Sequence, residues 1–146
     1  MTFAKTFASA TLALALVAGG LMPAEAGNST VLIEQWGTGN GVAGAQAGHR
    51  QRLTVHQNGR DNLTVSTQDG ARNRVVVGQS GNRNLADVNQ RGRRNIAGVA
   101  QIGDDNRAIV DQRGRHNAVG VIQVGNGNTA NTKQVGSGNV VLIIQE

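Results

Sequence analysis

Residues 73–101 read NRVVVGQSGNRNLADVNQRGRRNIAGVAQ. The stretch is one unit of eleven residues, written over and over. Asn73, Asn84 and Asn95 each open a unit, Gln79, Gln90 and Gln101 each close its apolar run, and Gly81 and Gly92 follow two residues after their Gln. A fixed internal period marks a stacked repeat architecture. Between Asn and Gln, Val75 and Val77, Ala86 and Val88, and Ala97 and Val99 alternate with other residues, the two-residue period of a half-buried strand. An eleven-residue period also suits a right-handed coiled coil. Gly and Asn in each unit, with abundant Val, reject that helix and favour strands and turns.

Outward from this stretch the columns continue without an insertion. The Gln column is Gln35, Gln46, Gln57, Gln68, Gln79, Gln90, Gln101, Gln112, Gln123, Gln134 and Gln145. The opening column is Ser29, Asn40, Gln51, Asn62, Asn73, Asn84, Asn95, Asn106, Asn117, Asn128 and Asn139. The turn column is Gly37, Gly48, Gly59, Gly70, Gly81, Gly92, Gly103, Gly114, Gly125 and Gly136. Seven residues of each unit read as a strand and Gly-x-x as a tight turn. The sequence therefore predicts an all-β protein, a β-solenoid of eleven short strands with two strands per 22-residue coil and amyloid-like cross-β stacking. The strands are expected to start at residues 29, 40, 51, 62, 73, 84, 95, 106, 117, 128 and 139. Inward side chains then stack at the strand spacing of about 4.8 Å, and stacked amides bond to one another along the pile. The repeated Gly suits a corner that needs positive φ or close backbone approach.

The composition fits such a thin core. Glycine is 21 of 146 residues, cysteine is absent and aromatics are 2%. No disulfide framework, thiolate metal site or cysteine nucleophile is available. Phe3, Phe7, Met1, Met22 and Pro23 all precede residue 24, and beyond it the only large aromatic is Trp36. Residues 1–26 read as a signal peptide: Lys5, an apolar stretch over 7–18 too short to span a bilayer, and a small-x-small site at Ala24-Glu25-Ala26. Residues 27–146 form the repeat domain, and the net charge stays +5 because Lys5 and Glu25 leave together.

The pattern resembles the curlin repeat of curli subunits, the functional-amyloid fibres of bacterial surfaces. The family motif Ser-x5-Gln-x-Gly-x-x-Asn-x5-Gln is reproduced by Ser29, Gln35, Gly37, Asn40 and Gln46, and the likeness runs through residues 29–145. The resemblance implies a secreted subunit, exported through the periplasm and the outer-membrane machinery, that polymerises with itself and with a second curlin subunit for adhesion and biofilm matrix. Two features depart from the family. Only Gly27 and Asn28 stand where a Gly/Asn-rich export segment is usual, and the chain is basic and lacks tyrosine, more like the minor nucleating subunit than the acidic major one.

Arranged as coils, the arginines segregate. Arg50, Arg52, Arg72, Arg74, Arg91, Arg93, Arg94, Arg113 and Arg115 fall along one edge, while Arg60-Asp61, Asn82-Arg83 and Asp104-Asp105 make the opposite edge mixed. Charge at such an edge blunts lateral aggregation. The sharper reading is a basic stripe for anionic polymers such as polysaccharide, lipopolysaccharide or extracellular DNA. The end strands, STVLIEQ over 29–35 and NVVLIIQ over 139–145, are apolar on both faces and carry neither a charged nor a proline cap, so head-to-tail joining is expected there. Catalysis is not expected: His49 and His116 lie in basic turns, His56 points outward, and none has an expected carboxylate partner. No cofactor or metal site is expected. The rival reading is a soluble, monomeric β-solenoid adhesin that binds polyanions.

Overall fold

The computed structural model describes residues 28–146; the signal peptide expected over 1–26 lies outside the described residues. Eleven strands follow one another: β1 (Thr30–Thr38), β2 (Gly41–His49), β3 (Arg52–Arg60), β4 (Leu63–Ala71), β5 (Arg74–Asn82), β6 (Leu85–Arg93), β7 (Ile96–Ile102), β8 (Arg107–Arg115), β9 (Ala118–Val124), β10 (Thr129–Ser137) and β11 (Val140–Gln145). The odd strands form one six-stranded parallel sheet in the order β1-β3-β5-β7-β9-β11, and the even strands form a five-stranded sheet in the order β2-β4-β6-β8-β10. Each strand pairs with the one a full coil away, in a register that sets Gln on Gln and Gly on Gly, as in Gln57↔Gln79 and Gly59↔Gly81. The molecule is an all-β solenoid with 22 residues per coil, as the repeat predicts.

The two sheets face each other across a thin core. Leu53, Val55, Val75, Val77, Ala86, Val88, Ala97 and Ala108 are fully buried, and Ile33, Val42, Val141 and Ile143 pack against them from the ends. Small and β-branched side chains let the sheets approach closely, and the alternating positions outside them stay wet.

Strand limits differ from the seven-residue expectation. Each strand begins one residue after the Ser, Asn or Gln that opens the unit, and most run on through the Gly. The opening residue has turned inward at the corner: its carbonyl accepts a hydrogen bond from the preceding coil, as Asn84 O does from Leu63 N at 2.8 Å. The Gly remains in register because its neighbour a coil away is also Gly. At Gly59, φ is +130°, and a Cβ there would overlap the carbonyl oxygen of Gly81. Two residues after the Gly the chain turns left-handed again, at Arg50, Asp61, Arg72, Arg83, Arg94, Asp105 and His116, with φ between 54° and 60°. A side chain there costs about 1–2 kcal/mol relative to glycine, so the stacked hydrogen bonds hold the corner against local preference.

Candidate functional site: open strand edges and an arginine corner

The amide columns tie the coils together. Each ladder Gln donates one Nε2 hydrogen to Oε1 of the Gln one coil further on: Gln35 to Gln57 (2.6 Å), Gln57 to Gln79 (2.7 Å), Gln90 to Gln112 (2.7 Å) and Gln123 to Gln145 (2.8 Å) among them. From Gln57 on, the second Nε2 hydrogen crosses to a backbone carbonyl of the facing sheet, as Gln79 does to Leu63 O at 3.2 Å and Gln101 to Leu85 O at 3.0 Å. Asn works the corners. Asn62 Oδ1 accepts the backbone N–H of Asn84 at 3.1 Å, while its Nδ2 donates to Gly81 O at 2.9 Å. Buried amides thus find partners for both halves of the group.

Gln51, the one Gln in the Asn column, breaks this rule. Its Nε2 still donates to Ala47 O and Gly70 O, but its buried Oε1 accepts nothing. The extra methylene carries the oxygen away from Asn73 N. Ser66 Oγ and Thr132 Oγ1, which replace Val in the core column, are the other buried side-chain atoms without partners among the described residues.

At both ends the columns are cut open. Gln35 and Gln46 accept no amide hydrogen, and Gln134 and Gln145 have donated only across the core, leaving one Nε2 hydrogen each. Asn128 Oδ1 and Asn139 Oδ1 likewise have no donor above them. The strand edges of β1 and β2 at one end, and of β10 and β11 at the other, carry no neighbouring strand among the described residues. Large apolar side chains are exposed there: Leu32 and Trp36 on β1, Val135 on β10, and Val140, Leu142 and Ile144 on β11. An unpaired edge of this kind, whose only acidic or basic strand residues are Glu34 on β1 and Lys133 on β10, besides His49 at the end of β2, is a template for another strand.

The corner that follows the even strands gathers the arginines. Arg50, Arg72 and Arg94 occupy successive left-handed positions with His116 next in the column, and Arg94 Nη1 donates to His116 Nε2 at 3.2 Å. A shallow groove runs along it, lined by His49, Arg72, Arg93, Arg94, Arg115 and His116, and a second groove joins Arg50, Arg52 and Arg74 to it. Arg91 meets Asp69 at 3.5 Å and Arg113 meets Asp111 at 3.2 Å. The other seven arginines of the expected stripe have no carboxylate within 4 Å among the described residues. Stacked like charges destabilise neighbouring strands, so this column is held by the core rather than by its own side chains.

The opposite corner neutralises itself. Arg83 donates from Nε and Nη2 to the two carboxylate oxygens of Asp105, both at 2.7 Å. That hydrogen bond, and next the charge of Asp105, raises the Arg83 pKa, and the same bond holds Asp105 below the usual carboxylate range. Beside it Asp104 Oδ1 accepts from Asn82 N and Nδ2, at 2.8 and 3.0 Å. One pairing was missed in the sequence. His56 does have a carboxylate partner, Glu34, at 2.9 Å. The two residues are 22 apart, so the coil period itself carried the signal. Among the described residues no group of three or more His, Asp or Glu is placed to hold a metal ion.

Parallel, in-register stacking around amide ladders defines a β-solenoid built as cross-β structure is built. The curlin associated repeat, the repeat of the curlin family, matches residues 81–114 and 103–136 of the chain. No curated protein and no solved structure matches the chain.

Proposed function

We propose that this chain is a secreted structural subunit that assembles with itself into curli-type amyloid fibres on the bacterial surface, serving adhesion and biofilm matrix. The observation that carries the reading is the pair of open ends: unpaired strand edges, amide ladders cut mid-column and exposed apolar side chains at both. Export across the outer membrane and joining to a second curlin subunit belong to the same reading. Purified protein is expected to bind an amyloid dye after a lag and to give fibre reflections near 4.8 Å and about 10 Å. Protein that stays monomeric, with no such reflections, would refute it.

The unpaired arginines favour a second role, on a fibre or on a monomer: binding of anionic polysaccharide or extracellular DNA along the even-strand corner. Such binding weakens steeply with salt. Replacing Arg72, Arg93, Arg94 and Arg115 together by Ser is expected to reduce polyanion affinity at least tenfold and to flatten its salt dependence. Unchanged binding would remove this role and leave fibre formation standing. The net basic charge also keeps the nucleating-subunit reading open to test, by asking whether substoichiometric amounts seed an acidic curlin subunit.

A further inference from the structure

The described solenoid has eleven strands, an odd number, so its two ends do not match sheet for sheet. At one end β11 stands one half-coil beyond β10; at the other β1 stands one half-coil before β2. If a second copy were stacked with its odd sheet on the first copy's odd sheet, β1 would cover β11. A gap one strand wide would then remain between β10 and the second copy's β2. Every ladder N–H and C=O along that gap would lose its partner. If the second copy is instead turned by half a revolution about the fibre axis, β1 covers β10 and β2 covers β11, and no strand is missing.

We propose that copies of this chain join head to tail with this half-turn, so that the arginine corner alternates from one edge of the fibre to the other in successive subunits. The proposal rests on the fibre reading above. The side chains brought together by continuing the 22-residue register support it. Lys133, exposed on β10, falls opposite Glu34 of the next copy, and exposed Val135 falls opposite exposed Trp36. On the other sheet, the bulky Leu142 and Ile144 fall opposite Ala43 and Ala45, and Ile143 faces the space over Gly44. The ladders also close: the spare Nε2 hydrogens of Gln134 and Gln145 meet the vacant Oε1 atoms of Gln35 and Gln46. In the unturned junction Ile144 falls opposite Glu34, an apolar group on a carboxylate. With strands about 4.8 Å apart, each copy advances the fibre about 26 Å, and the charge pattern repeats every two copies, about 52 Å.

The chain has no cysteine, so engineered pairs report the junction cleanly. Residues 34 and 133 lie at opposite ends of one molecule, and a disulfide between them forms only between copies. Fibres of the Glu34→Cys/Lys133→Cys variant, gently oxidised and dissolved without reductant, are expected to run as a ladder of covalent oligomers. Fibres of Glu34→Cys/Ile144→Cys are expected to run as monomer. The neighbouring-strand distance suits a disulfide. The reverse result, linkage by Glu34→Cys alone, or fibres that neither pair links would overturn the half-turn while leaving fibre formation intact. A wild-type chain that forms no fibre would overturn both.

Discussion

The middle of the solenoid and its ends are made from the same eleven residues and differ in what covers them. In the middle, Val77 and Val88 are fully buried, and the Gln90 amide is satisfied by Gln68, Gln112 and Arg74. At the ends, Ile33 and Ile143 occupy the same column half-exposed, and Gln35 and Gln145 have lost one ladder partner each. The unit is therefore complete only when it has a neighbour on both sides. Interior units stabilise one chain; terminal units carry unmet hydrogen-bonding capacity, and satisfying it takes another strand.

The comparison breaks most sharply at the stacked glycines. Gly92 has φ +120°, and any Cβ would run into the carbonyl of Gly114, whereas a Cβ on Gly136, the last of that column, meets nothing closer than Asn139 Nδ2 at 3.6 Å. Gly92→Val is expected to cost about 3 kcal/mol or more, and Gly136→Val about 1–2 kcal/mol, the cost of positive φ alone. Urea midpoints of the monomeric protein measure the difference, and equal losses would show that the corners do not stack as described. The next effect is at the amides. Gln90→Leu strands the Arg74 carbonyl and interrupts two ladder bonds, for about 2–3 kcal/mol. Gln145→Leu removes one ladder bond, from Gln123, and one exposed bond to Thr129 O at an open end, and is expected to cost about 1 kcal/mol of monomer stability while slowing fibre elongation.

The smallest effect is at the corner where Arg83 meets Asp105. Asp105 has a lowered pKa in the folded chain, so the pair's contribution is fully present above the ordinary aspartate pKa. It is lost as pH falls through the lowered value. Both groups are exposed and the stability change is slight. The readout is the carboxyl titration followed by NMR: Asp105 should titrate below the usual range and return to it in Arg83→Gln. An unchanged titration would mean that the pair does not persist in solution.

Much of this was legible in the sequence because one period governs every column. Gln at each eleventh position placed the core amides, and alternation within the unit placed Val75 and Val77 inside. Corner details were not legible, because they depend on a neighbour 22 residues away rather than on local preference. Arg72 and Arg94 adopt a conformation that their own side chains disfavour, and the Gly column stays within the ladder where a turn was expected. The Glu34–His56 pair was overlooked for the same reason. Gln51 shows the limit of residue-type reasoning: it fits the amide column by chemistry, yet its length leaves an oxygen without a donor.

The most direct test of the open ends compares two deletions in a seeded elongation assay. Removing residues 139–146 takes away β11 with its exposed Val140, Leu142 and Ile144 and leaves the edge of β9, which carries Gly120 in place of Leu142, while removing residues 73–94 takes out one interior coil and leaves both ends as they were. The terminal deletion is expected to slow elongation at least tenfold and the interior deletion only slightly. Equal slowing by the two would contradict the claim that the ends drive assembly.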